Sequence, residues 1–426
     1  MRYFLFIPLL IISVFVNAQS MISFDEFFVD GSLRIDYIHA GTATTQSAIV
    51  KAIIKEPYWG GNKSKLIDKF NFGAYRVNVY DINSNKLIYN YGFCSLFEEW
   101  QTTDEAKTKT RSFQETIIIP YPKSKVKIEL IHRNKKLEPE IILTEIVDPE
   151  DINIEYRDLR ETVNHTMWKE SGDYNKKVDL VVIAEGYNNT ETEKFRKDAD
   201  NLLDFLFNEE PFNINKDKFN VYLIEAVSEE SGTDIPGDNI WKKTALNSRF
   251  YTFGSERYLT SADYHVIRDY ASVVPCDQIM ILVNSDKYGG GGIYNFYSIS
   301  SAGNMFSNQV LSHEFGHAFA ALGDEYYTSS TAYNDFYDLN TEPYQPNITT
   351  LVNFDSKWKD MVDDNTPIPT PDTKEYANVV GVYEGAGYSA NGIYRPMRSC
   401  RMKELNSGFC PVCLKAIESM INYYAK

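Results

Sequence analysis

The chain has 426 residues, 43% hydrophobic and 14% aromatic, a globular composition that excludes intrinsic disorder. Its net charge of −16 disfavours nucleic acid and anionic membrane surfaces as partners. At roughly 100–200 residues per domain, this length predicts two domains.

Residues 1–18 read as a signal peptide. Arg2 supplies the positive start, residues 4–16 are apolar apart from Pro8 and Ser13, and Val16-Asn17-Ala18 is a small-residue cleavage pattern that starts the mature chain at Gln19. The apolar run is short of the roughly 18–20 residues that span a bilayer. No Cys follows it to carry a lipid, and no later stretch is apolar enough to insert. The expected location is exported: periplasmic, cell-surface or extracellular.

Residues 19–147 predict an all-β sandwich, an accessory domain. Leu33, Ile35 and Tyr37 alternate with Arg34, Asp36 and Ile38, as in a half-buried strand. Residues 77–80 and 87–89 flank the turn-forming Asn83-Ser84-Asn85, which predicts a hairpin. Residues 115–120 and 125–131 form a second candidate pair around Pro122-Lys123-Ser124, and residues 141–146 one more strand. No helical period of comparable strength appears here.

Residues 148–177 are polar and charged, the pattern of a linker. From 178 onward the pattern becomes α/β (α+β). Residues 179–184 contain a continuous apolar run, as in a strand buried on both faces. Thr190 to Glu193 offers a capping box before Phe195, Ala199, Leu202, Leu203 and Leu206 at helical spacing. Residues 219–226 and 278–283 predict strands and 261–270 a helix. Residues 289–292 are four glycines. They lack the Gly-Lys-Ser/Thr ending and following helix of a phosphate loop, so they predict a flexible loop before a cleft-lining edge strand at 293–299.

The chemistry concentrates in His313-Glu314-Phe315-Gly316-His317. Residues four apart share a helical face, so both imidazoles reach one metal, and Glu314 flanks that face where it can hold a metal-activated water without being a ligand. Such a zinc lowers the pKa of its water toward about 7, and a carboxylate base completes the activation for attack on a peptide carbonyl. The other four histidines, at 39, 132, 165 and 265, form no comparable pair. The third ligand has two readings. On a continued helix Asp324 would lie about 10 Å beyond His317, so it ligates only if the helix stops and the chain turns back, with Gly323 as the left-handed stop. Otherwise a later Glu serves, with Glu342, Glu375 and Glu384 as candidates.

Residues 313–326, HEFGHAFAALGDEY, resemble the IgA-peptidase family of zinc metallopeptidases, a metzincin-like group. The resemblance extends to residues 383–388, to Tyr394-Arg395-Pro396, to Cys400-Arg401-Met402 and to Phe409-Cys410-Pro411-Val412-Cys413, and so covers most of the chain from about residue 150. The strand-rich N-terminal part is similar to the accessory domain often found before it. The resemblance implies a catalytic domain at 178–426, one catalytic zinc ion on His313, His317 and Asp324, and Glu314 as general base. It also implies Met402 as the methionine turn beneath the metal, with Met397 as the alternative. The usual metzincin Gly and His, three and six residues past the second His, are here Ala320 and Gly323. Tyr388 and Tyr394 are candidates to hold the oxyanion or contact substrate.

Cys410-Pro-Val-Cys413 has zinc-knuckle or redox spacing, but a structural zinc takes four ligands and only Cys400 is near in sequence. A disulfide within the set Cys400, Cys410 and Cys413 is therefore expected in an oxidising compartment. The leading expectation is a secreted zinc metalloendopeptidase acting on protein or peptide substrates. The alternatives are a non-catalytic protein- or glycan-binding surface protein that retains a zinc site, and hydrolysis of a non-peptide substrate.

Overall fold

The computed structural model describes residues 22–327 and 336–425; the expected signal peptide lies outside the described residues. Among the described residues, no helix is long and apolar enough to cross a membrane.

The N-terminal region is β-rich. Its strands are β1 (Phe28–Gly41), β2 (Gln46–Glu56), β3 (Tyr75–Asp81), β4 (Leu87–Phe93), β5 (Arg111–Pro122), β6 (Val126–Arg133), β7 (Pro139–Val147) and β8 (Glu155–Tyr156), with short helices α1 (Phe24–Phe27) and α2 (Leu96–Gln101). They form two four-stranded sheets, ordered β5-β1-β2-β8 and β4-β3-β6-β7. Leu33, Ile35, Ile117 and Ile119 from the first share one hydrophobic core with Val77, Val79, Ile128 and Leu130 from the second. The β3–β4 hairpin forms as predicted, with Asn85 left-handed in its turn. The second candidate hairpin does not: β5 pairs with β1 and β6 pairs with β3 and β7, so Pro122-Lys123-Ser124 carries the chain between sheets.

The alternation in β1 predicts solvent on its polar side, but Arg34 and Asp36 are 0% and 3% exposed. That face is covered by α5 (Tyr264–Ala271), a helix of the C-terminal part. Arg34 donates to Asp36, Glu56 and Asp269 and to the His265 carbonyl, so the burial of its charge is matched by partners on both sides.

The C-terminal part is mixed α/β. A six-stranded sheet runs β13-β14-β12-β10-β11-β9, from β9 (His165–Lys169), β10 (Val178–Glu185), β11 (Phe219–Ile224), β12 (Gln278–Val283), β13 (Gly290–Ile293) and β14 (Tyr297–Ser301). The four inner strands are parallel, and β13 and β9 are antiparallel edges. Every residue of β10 is buried, which accounts for its unbroken apolar run. Helix α3 (Thr192–Leu206) buries the five apolar residues expected of it. Its capping box does not form; the Glu191 carboxylate instead accepts from the Asn188 N–H. The remaining elements are α4 (Phe212–Asn215), α6 (Ser307–Ala320), the hairpin β15 (Tyr383–Ala386) and β16 (Ser389–Arg395), and α7 (Pro411–Tyr424).

Residues 148–177 are more than a connector: β8 adds to the first N-terminal sheet and β9 to the C-terminal one. Both are exposed edges, so they lack the apolar signal of a strand. The glycine run is also a strand. The antiparallel edge is β13 itself, and the segment read as strand 293–299 contains the turn at Tyr294-Asn295-Phe296 and then β14. The reason is proximity to α6. A Cβ at Gly292 would lie 2.2 Å from the Glu314 carbonyl oxygen, and one at Gly290 would lie 2.7 Å from Val310. Helix and strand meet backbone to backbone, which no residue with a side chain allows.

Candidate metal and active site

Helix α6 carries His313, Glu314 and His317, and packs on β13 and β14. The ring Nε2 atoms of His313 and His317 lie 3.1 Å apart, and Asp324 Oδ1 lies 3.2 Å from the first and 3.3 Å from the second. The helix stops as the third ligand requires, but at a different residue. Ala321, not Gly323, takes the left-handed conformation, with φ 51° and ψ 31°. Its N–H bonds to the His317 carbonyl and turns the chain back. Gly323 serves packing instead: a Cβ there would lie 3.0 Å from Ile348, and its N–H and carbonyl are both held by the Asn347 side chain.

These residues fit a zinc ion. Bonds of about 2.0–2.1 Å in a tetrahedron place ligand atoms about 3.3 Å apart, close to the three observed separations. Asp324 is 5% exposed, and apart from the two imidazoles its Oδ1 meets no hydrogen-bond donor. Both histidines turn Nδ1 to a carbonyl: His313 to Arg401 at 3.0 Å and His317 to Leu322 at 2.5 Å. A carbonyl only accepts, so Nδ1 carries the proton and Nε2 is the atom presented to the shared point. Arg401 is fixed in turn by an ion pair with Glu209, which also accepts from Ser312 on α6.

Met402 is fully buried, and its sulfur packs beneath Gly316, where a Cβ would lie 3.0 Å away. Its carbonyl accepts from the Glu325 N–H at 2.9 Å. Met397 is only half-buried. The alternative third ligands lie elsewhere. Glu342 accepts from Asn353 and Thr350, Glu384 accepts from the Gly392 N–H, and Glu375 is exposed. Tyr388 is at the centre, but its hydroxyl donates to Asp324 Oδ2, which makes it a support for the carboxylate. Tyr394, on β16, is not among the residues lining the cleft.

The cleft beside the three ligands is lined by Glu314, Arg257, Gly292 and several tyrosines, and by three residues from the N-terminal region: Cys94, and Glu98 and Glu99 of α2. Helix α2 reaches it because Leu96, Phe97 and Trp100 bury into the C-terminal core rather than the N-terminal one. Glu99 accepts from the Tyr258 hydroxyl. Burial raises both carboxyls above the usual range, Glu98 further through its neighbour Glu99. Burial likewise raises Glu314, against the pull of His313 and His317. Burial opposes charge on His317, but the Asp324 carboxylate more than offsets it and raises the imidazole to about 9. Nothing local in the sequence marks α2 as part of the cleft, since its contacts are long-range.

The family model described as IgA Peptidase M64 matches residues 167–378 and 372–421, and that described as Peptidase M64 N-terminus matches residues 23–144. The chain belongs to the IgA peptidase M64 family, as the motifs around His313 and Cys400 implied, with the N-terminal region as its accessory part. It is a peptidase, and its substrate is protein or peptide. Comparison with curated proteins finds no match.

Proposed function

We propose that the protein is an exported zinc-dependent endopeptidase in which His313, His317 and Asp324 hold the metal and Glu314 is the general base. The observation that carries this reading is the approach of two Nε2 atoms and one carboxylate oxygen to within 3.1–3.3 Å of each other on the wall of a cleft. When bound, zinc supplies a Lewis acid for the scissile carbonyl and lowers the pKa of a water at neutral pH. Glu314 takes the proton of the attacking water and delivers it to the leaving amine. Its raised pKa suits the first step, because it makes the carboxylate a stronger base toward the water and lets it hold that proton until the amine leaves. Tyr388 orients Asp324, and the carbonyls of Arg401 and Leu322 orient the two rings.

Residues 19–147 form a β-sandwich accessory domain, 148–177 connect, and 178–426 form a metzincin-like catalytic domain. Residues 1–18 are removed on export to the periplasm, cell surface or medium. An extended substrate pairs with the outer edge of β13. Leu259 and Arg257 already occupy that edge at Gly290, which leaves Gly292 as the pairing position beside Glu314.

The test is a peptide-library cleavage assay with zinc quantified in the same samples. Glu314→Gln is expected to keep its zinc and lose roughly 10²–10⁴-fold in rate. Full activity in that variant, or cleavage by wild type that a zinc chelator does not affect, rejects the reading.

A further inference from the structure

The cysteine cluster near the C-terminus did not enter the catalytic site, and its surroundings differ from the sequence expectation. Among the described residues no cysteine is joined in a disulfide. Cys400, Cys410 and Cys413 converge instead with a fourth residue, Glu325, and one ligand atom from each lies within 4.8 Å of all the others. The four are between 0% and 3% exposed. Cys400 Sγ lies 3.7 Å from Cys413 Sγ, and Cys413 Sγ lies 3.3 Å from Glu325 Oε1. A tetrahedral zinc with bonds of about 2.3 Å to sulfur and about 2.0–2.2 Å to oxygen separates its ligands by about 3.5–3.8 Å.

Two further features suit a cation here. Glu325 Oε1 accepts from Asn347, but Oε2 is buried with no hydrogen-bond partner, so the carboxylate is only partly compensated for its burial. Cys410 and Cys413 stand at the start of α7, a 14-residue helix whose N-terminal dipole favours thiolates. The Cys410 N–H also donates to Cys400 Sγ at 3.4 Å. A disulfide would consume two of the three sulfurs and leave one thiol beside a carboxylate whose Oε2 stays unpartnered.

We infer that Glu325, Cys400, Cys410 and Cys413 form a second, structural zinc site with no position open to substrate. The fourth ligand that the sequence lacked comes from the loop after α6, 75 positions before Cys400. The site ties together three segments that build the first one. Glu325 follows Asp324, Cys400 precedes the Arg401 carbonyl that holds His313, and Met402 accepts from the Glu325 N–H. Its role is to fix the loop of 321–327 against the turn of 400–402 and the head of α7.

The test uses the full mature chain purified without chelator, with zinc measured by elemental analysis and by X-ray absorption. Wild type is expected to hold about two zinc ions per chain, with a sulfur shell at about 2.3 Å beside the nitrogen and oxygen shell. A His313→Ala/His317→Ala variant is expected to keep one zinc, with a sulfur-rich shell. That arm separates the two sites, because it reads the cysteine cluster whatever happens to the histidine one. Cys413→Ser is expected to lose one zinc and melt at lower temperature; if it fails to fold, the first two samples still decide. Alkylation in denaturant and chelator without reductant is expected to modify all five cysteines. A mass lower by two hydrogens with only three cysteines modified, or a wild-type spectrum with no sulfur shell, overturns the inference.

Discussion

Asp324 and Glu325 are adjacent in the chain, yet their carboxylates face opposite sides of one loop. Asp324 Oδ1 lies 3.2 Å from His313 Nε2, whereas Glu325 Oε1 lies 3.3 Å from Cys413 Sγ. One short segment thus serves two clusters. Its position is therefore set from both, and from Asn347 between them.

Asn347 is fully buried and holds this loop by three hydrogen bonds, to the Gly323 N–H, the Gly323 carbonyl and Glu325 Oε1. Asn347→Ala leaves those groups without partners, at a cost on the order of 2–4 kcal/mol. The variant is expected to melt several degrees lower and to bind zinc more weakly. Calorimetry with and without added zinc reads both effects. An unchanged melting temperature would mean that the loop holds its shape without this side chain.

Tyr388 distinguishes support of a ligand from support of the oxyanion. Its hydroxyl donates to Asp324 Oδ2, and its backbone sits at φ 65°, a left-handed position held by the bond from its N–H to the Tyr326 carbonyl. Tyr388→Phe is expected to weaken zinc binding by about 10–100-fold, the usual effect of removing a ligand's hydrogen-bond partner. Saturating zinc should restore most of the activity. A variant with unaltered zinc affinity and a lowered kcat would instead assign the hydroxyl to the transition state.

Gly292→Ala tests the meeting of strand and helix. The new methyl carbon would stand 2.2 Å from the Glu314 carbonyl oxygen, against backbone that cannot rotate away. The expected outcome is a folded or weakly folded protein with at least a tenfold loss of kcat/KM, because Glu314 moves with its helix. Gly408→Ala has nothing within 4 Å and serves as the control. Equal activity in the two variants would show that α6 can move away from β13 without harm.

The parts legible in the sequence are those that rest on local periodicity. The alternation in β1, the apolar run of β10 and the i, i+4 histidines of α6 each declare an element within a few residues. What was not legible depends on partners far along the chain. Arg34 and Asp36 look solvent-facing until α5 covers them. Four glycines look like a loop until α6 requires a bare strand. The three cysteines lack a fourth ligand until the end of α6 brings Glu325 back to them. Ala321 shows a subtler limit. Its left-handed conformation is unusual for alanine, so the composition pointed to Gly323 two residues later, although the expected return of Asp324 to the histidines occurs.

Arg34 joins the two regions. It is fully buried and ion-paired with Asp36, Glu56 and Asp269, the last also held by Arg157. Arg34→Met removes the cation and leaves buried carboxylates, a loss of about 3–5 kcal/mol. Adding Asp36→Asn should recover part of it, because one of the stranded charges goes as well. Denaturant titration of wild type, the Arg34→Met and Asp36→Asn single variants and the double variant measures this. Strictly additive losses would show that Arg34 and Asp36 do not act as a pair.

Asp179 and Asp277 give the fold its own pH dependence, apart from catalysis. Asp179 is buried with Oδ2 unpartnered, and its N–H donates to Asp277 Oδ2 at 2.9 Å. Burial raises both carboxyls, and the charge of Asp277 raises Asp179 further. The folded chain therefore keeps these protons at pH values where the unfolded chain, with an Asp pKa of about 3.9, has released them. The stabilisation is fully present below about pH 4 and is lost as pH rises through the raised folded values. Asp277→Asn keeps an oxygen to accept from Asp179 and removes the charge. It is expected to melt above wild type at pH 8 and at the same temperature as wild type near pH 4, so that the two melting curves converge on acidification. A constant offset between them at every pH would place the effect in packing and remove the pair from the account of acid and alkaline stability.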